Sequence, residues 1–143
     1  MITDSTVAST AAGQSIRNST FLVVDDFSTM RRIVATLVRE LGAERVVEAE
    51  NGVQAWKKIE LGGIDFVISD WNMPEMNGLE LLKKVRAESN YRDMPFLLIT
   101  AEARTDNIVE AVQSGADGYV VKPFTATVLA AKIANVLKRR AIA

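Results

Sequence analysis

Phe66-Val67-Ile68-Ser69-Asp70 is an apolar run that ends at an aspartate. An apolar run without polar alternation is the pattern of a strand buried on both faces, as in a parallel sheet. Three other stretches read the same way. Phe21-Leu22-Val23-Val24 runs into Asp25-Asp26, Phe96-Leu97-Leu98-Ile99 into Thr100, and Tyr119-Val120-Val121 into Lys122. Ligands of such sheets bind beyond the carboxyl ends of the strands. Three carboxylates, a hydroxyl and an ammonium are therefore expected at one edge, a place to hold a divalent cation and a phosphoryl group.

Between these runs the spacing turns helical. From Ser28, the apolar residues Met30, Ile33, Val34, Leu37, Val38 and Leu41 form one stripe, and Gly42 follows as a C-terminal cap. Arg45 to Ala49 reads as a short strand. Helices are expected from about Val53 to Leu61, Gly78 to Glu88, Asp106 to Ser114 and Thr125 to Arg140. In the fourth of these five helices Ile108, Ala111 and Val112 are the inward residues. In the last, Lys138, Arg139 and Arg140 suit the negative end of the helix dipole. Five strands alternating with five helices predict a single α/β domain, a parallel sheet with helices on both faces. Residues 1–18 are rich in Ser, Thr, Ala and Gly and read as a disordered tail, leaving 19–143 as the folded unit.

Composition narrows the chemistry. The chain has 143 residues, enough for one domain that needs no staples. Its net charge of −1 offers no basic field for nucleic acid or a membrane surface, and no apolar stretch approaches the length of a transmembrane helix. It has no Cys and no His. Disulfides, thiol nucleophiles, Ser-His-Asp triads and histidine metal sites are excluded. Phosphate arriving from a phosphohistidine would have to come from a partner.

Taken singly, each polar ending has an ordinary explanation. Asp25 or Asp26 could cap the helix that follows, Asp70 and Thr100 could serve turns, and Lys122 could be solvated. Their conjunction at the same end of different strands is what points to a site. Clustered carboxylates repel, and a cation offsets that cost. Few oxygen ligands beside a phosphoryl group suit Mg²⁺. A carboxylate can attack phosphorus to form an aspartyl-phosphate, with the protein positioning and neutralising. Spacing does not name the nucleophile. Asp70 is preferred because its strand should be central, while the adjacent pair suits a metal. Removing Asp26 is expected to stabilise the metal-free fold by relieving repulsion. Trp71, Trp56 and the pair Arg31-Arg32 read as rim packing, helix packing and a solvated face.

These residues resemble the response-regulator receiver family. The stretches that carry the likeness are FLVVDDFSTMRRIV (21–34), ISDWNMP (68–74), GLELLK (78–83), TAEA (100–103) and GYVVKPF (118–124), and the wording of DWNMP and TAEA points to its chemotaxis branch. The resemblance implies a doubly wound, flavodoxin-like fold with strand order 2-1-3-4-5. It implies that Asp70 accepts phosphate from a chemotaxis histidine kinase, with Thr100 and Lys122 contacting the phosphoryl group. Mg²⁺ would be held by Asp26, Asp70 and the Asn72 backbone carbonyl, with Asp25 orienting a metal-bound water. Lys122-Pro123 would be a cis peptide. Asn72 and Glu102 would tune hydrolysis, and Tyr119 would act as a rotamer switch. Ala103, Ile108, Tyr119, Val121 and Lys132 would form an output face for the flagellar motor switch protein.

The resemblance further implies a cytoplasmic monomer that is a switch rather than an enzyme in the ordinary sense. It would catalyse its own Mg²⁺-dependent phosphorylation and dephosphorylation, with a phosphatase as a further partner and output by protein contact. The alternative is a phosphorelay intermediate or phosphate sink with no motor output. An aspartate-based phosphatase would usually have a second acid/base Asp where Asn72 stands, and a flavodoxin-like cofactor binder would need a phosphate-cradling loop after the first strand. Glu75, Asn77 and Thr105 depart from close relatives, as does the long N-terminal segment.

Overall fold

The computed structural model describes residues 16–101 and 104–142. Ten elements alternate: β1 (Thr20–Val24), α1 (Ser28–Glu40), β2 (Arg45–Ala49), α2 (Gly52–Leu61), β3 (Phe66–Asp70), α3 (Gly78–Ala87), β4 (Phe96–Thr100), α4 (Thr105–Gln113), β5 (Gly118–Val121) and α5 (Ala126–Ile142). The five strands form one parallel sheet in the order β2-β1-β3-β4-β5. This is the doubly wound α/β fold that the sequence predicts.

Side-chain alternation sorts the apolar runs into two cores. Phe21, Val23, Phe66, Ile68, Leu97, Ile99 and Val120 face one side, under α1 and α5. Leu22, Val24, Val67, Phe96 and Leu98 face the other, under α2, α3 and α4. The unbroken apolar runs follow from this, because each residue has a helix layer to pack against. Phe21 and Phe66 stack with ring centroids 4.9 Å apart across the β1–β3 pairing.

Some expectations shift at the margins. The run at β5 is not buried on both faces: it is an edge strand, and only Val120 is fully buried. On α1 the buried positions are Val34, Ala35 and Val38, and Ile33 is exposed at the border of the stripe. On α4 only Ala111 is buried, while Val112 faces solvent, because this short helix covers the edge of the sheet. Residues 16–18 are helical, and Ile16 is 7% exposed and packs in the α1/α5 core. Packing therefore begins before residue 19, where the sequence reading placed it. The rest of the expected tail, residues 1–15, lies outside the described residues.

Candidate functional site

The parallel register brings the strand ends together. β1 and β3 are neighbours, as are β3 and β4 and then β4 and β5, so Asp25, Asp70, Thr100 and Lys122 emerge side by side. The Lys122 N–H donates to the Thr100 carbonyl at 2.7 Å, and the Trp71 N–H to the Ile99 carbonyl at 2.8 Å. The Lys122 Nζ then lies 3.0 Å from Asp70 Oδ1 and 3.8 Å from Asp25 Oδ2. Carboxylate oxygens of Asp25, Asp26 and Asp70 lie within 4.8 Å of one another. The Lys122-Pro123 bond is cis.

Burial distinguishes the two adjacent aspartates. Asp25 is 2% exposed, whereas Asp26 lies in solvent. Asp25 Oδ1 accepts the Phe27 N–H at 2.9 Å, and its Oδ2 is buried without a hydrogen bond. Asp70 is 6% exposed and Thr100 is 4% exposed. Burial pushes the carboxyls of Asp25 and Asp70 above the ordinary 3.8, and the hydrogen bonds to Phe27 and Lys122, respectively, only partly oppose this. Burial is the largest cause for both carboxyls, and the charge of the neighbouring Asp26 raises each of them further.

The sign of the pH effect follows. A carboxyl whose pKa is raised on folding adds stability below its unfolded value, and that contribution is lost as pH rises through the folded value. We expect Asp25→Asn to exceed the parent by about 1–2 kcal/mol at pH 7 without metal, because it removes a buried charge whose Oδ2 has no hydrogen bond and meets Lys122 only at 3.8 Å. The gap should narrow as pH falls toward 3.8, where the parent's carboxyls take up protons. Urea midpoints in chelator across that range measure it, and a gap that widens on acidification contradicts the assignment.

The loops supporting the site are built locally. Asn77 and Glu80 form a capping box at the start of α3, with Asn77 accepting from Glu80 N at 2.8 Å and Glu80 from Asn77 N at 3.0 Å. Asn77 reads in the sequence only as a departure from relatives. A Cβ on Gly78 would collide with the Asp70 carbonyl oxygen, so a glycine lets α3 start directly against the strand end. Glu75 takes a left-handed φ of 67° in the same loop.

Arg31 and Arg32 are not equivalent. Arg31 donates to the Asp25 carbonyl at 2.8 Å and pairs with Glu48 at 3.0 Å, tying the acidic turn to the end of β2. Arg32 is exposed, as a solvated face predicts. The solvated face that the sequence predicts for the pair therefore does not hold for Arg31.

The remaining candidates sit as follows. Asn72 is exposed just beyond Asp70. Tyr119 and Val121 are half-buried on β5, Ile108 is half-buried on α4, and Lys132 on α5 holds its Nζ 5.2 Å from the Tyr119 ring. Lys132 and Tyr119 share a hollow of about 380 Å³ with Val112 and Asn135. Glu102 and Ala103 lie outside the described residues. Trp56 stacks edge-on against Tyr91 at 5.7 Å, confirming a packing role.

Hard oxygen donors suit a small divalent cation. Asp25, Asp26 and Asp70 offer such donors within 4.8 Å of one another, and the buried Asp25 Oδ2 has no hydrogen-bond partner, so the set fits a cation that these residues would hold. Among the described residues no helix is long and apolar enough to cross a membrane.

Known proteins agree with this geometry. The family described as the response regulator receiver domain matches residues 21–134. The chain is 51% identical over 118 residues to the chemotaxis protein CheY of Pseudomonas aeruginosa, spanning 82% of this chain and 95% of that one. Among solved structures, Vibrio cholerae chemotaxis protein CheY4 superposes with a TM-score of 0.75 at 35% identity, covering 85% of this chain and 97% of that one. The receiver domain of the sensor histidine kinase PA1611 from Pseudomonas aeruginosa, with a magnesium ion in its active site cleft, gives 0.76 at 26% identity over 85% and 98%. Strand order, clustered acids and sequence converge: the chain belongs to the response-regulator receiver family.

Proposed function

We propose that this receiver is a chemotaxis switch, phosphorylated on Asp70 by a histidine kinase in the cytoplasm and read by the flagellar motor switch. The observation that carries it is Lys122 bound to Asp70 at 3.0 Å, beside two further aspartates. An Asp70 oxygen attacks phosphorus in line, and the bond from phosphorus to the donor's imidazole nitrogen breaks. The imidazole leaves with that electron pair. Asp25, Asp26, Asp70 and the Asn72 carbonyl would hold Mg²⁺, which supplies charge neutralisation at the phosphoryl oxygens. Lys122 transfers its contact from the carboxylate to a phosphoryl oxygen, and the Thr100 hydroxyl donates to another. These shifts bias Tyr119 and hence the surface of α4, β5 and α5. The names of the chemotaxis relatives support motor output over a phosphate sink.

The test joins both halves. Labelling by a phosphorylated chemotaxis kinase is expected to need Mg²⁺, and phosphorylation is expected to raise affinity for a motor-switch peptide by about tenfold. Labelling that ignores chelator defeats the site. Equal affinity of both forms for the peptide defeats the motor output.

A further inference from the structure

Asp25 is held at each of its polar groups but one. Its N–H donates to the Ala49 carbonyl at 3.2 Å, its carbonyl accepts from Arg31 Nη1 at 2.8 Å, and its Oδ1 accepts from the Phe27 N–H at 2.9 Å. The exception is Oδ2, which is buried without a hydrogen bond and lies 3.8 Å from Lys122 Nζ.

Two of these bonds belong to a closed ring. Arg31 on α1 reaches the Asp25 carbonyl with Nη1 and Glu48 Oε1 with Nε, the second at 3.0 Å. Glu48 directly precedes Ala49, whose carbonyl returns to the Asp25 N–H. β1 ends at Val24, paired with Ala49, so the ring carries the β1–β2 contact one residue past the strand. The Arg31 side chain is 15% exposed within it.

The acidic turn needs such a brace. The charges of Asp70 and Asp26 both act against ionised Asp25, so without a cation the three carboxylates push apart. Mg²⁺ demands near-ideal ligand geometry. A turn that has relaxed must be reassembled when the ion binds, and that weakens binding. A guanidinium fork can span two acceptors that stand on different strands, whereas an ammonium is a single point.

We propose that Arg31, anchored by Glu48, is a positioning residue that pre-assembles the Asp25-Asp26 turn for Mg²⁺. It acts through the Asp25 carbonyl and not as a ligand. The inference rests on the Asp25, Asp26 and Asp70 cluster being the metal site.

The experiment is calorimetric titration of the metal-free full chain with MgCl₂ at neutral pH, with no phosphate donor present. Arg31→Ala is expected to raise the Mg²⁺ Kd about tenfold, as loss of a group that orients a metal ligand does. Glu48→Ala should raise it too, and the double variant should bind little worse than Arg31→Ala, because either change opens the same ring. Glu48→Gln keeps an oxygen for Arg31 Nε and should restore most of the affinity. Arg31→Lys keeps the charge without the fork and should stay near Arg31→Ala. A Kd for Arg31→Ala within about twofold of the parent overturns the proposal. So does full recovery in Arg31→Lys, which assigns the effect to charge alone, or full additivity of the two alanine changes. Should Arg31→Ala fail to fold, an unchanged Kd in Glu48→Ala overturns it equally. If the parent binds no Mg²⁺ at millimolar concentrations, the metal site itself fails and this inference with it.

Discussion

Asp70→Asn is expected to take up no phosphate from kinase or small donor, a loss of about 10³-fold or more, because the attacking oxygen is replaced by an amide. The same change should raise the melting temperature of the metal-free protein. Asp70 is 6% exposed and its ionisation is opposed by burial, with Lys122 only partly compensating. An amide removes that burden and keeps an oxygen for the lysine. The two readouts move in opposite directions, so inactivity cannot be mistaken for misfolding. Labelling retained at near-parent rate in Asp70→Asn would place the acceptor elsewhere. A lowered melting temperature would mean that the Lys122–Asp70 pair outweighs its burial cost.

The largest expected loss of stability is at the opposite edge of the sheet. Asp117 is 12% exposed on its side chain and accepts from three groups. Arg86 Nη2 on α3 reaches its Oδ2 at 3.0 Å, the Phe96 N–H at the start of β4 reaches the same oxygen at 2.8 Å, and Arg140 Nη2 on α5 reaches Oδ1 at 2.7 Å. Arg86 also donates to the carbonyls of Gly115, Arg92 and Met94. One carboxylate thus joins α3, β4, α5 and the loop before β5. Asp117→Ala leaves the partly buried Arg86 guanidinium without its anion and Arg140 with only the exposed Asp93 at 3.9 Å, and breaking such a buried pair costs about 3–5 kcal/mol. For a chain of this size that is a fall in melting temperature of roughly 10 °C. Thermal denaturation measures it, and a fall under roughly 3 °C would show the hub to be solvent-screened. Asp117 lies beyond the amino ends of the strands, far from the acceptor, so folded Asp117→Ala should still accept phosphate.

Adjacent residues show where the sequence stops. Asp25 and Asp26 are neighbours, yet one is buried with an orphaned oxygen and the other lies in solvent. Arg31 and Arg32 divide in the same way, one held by Glu48 and a carbonyl, the other exposed. The basic end of α5 reads as a match to the helix dipole, and Arg139 and Arg140 do stand in its last turn, but they also bond the Asp117 carbonyl and carboxylate. In each case the deciding partner is distant along the chain, and periodicity carries no information about it.

By itself the sequence determined that five apolar strands alternate with helices and that their polar endings share one edge. Those properties follow from local side-chain periodicity and from the common direction of parallel strands. Tertiary structure alone decided which aspartate of the pair is desolvated and which arginine of Arg31-Arg32 is held. Burial and ion pairing depend on the chain's folded neighbours, and for Asp117 those neighbours stand 21 to 31 residues away.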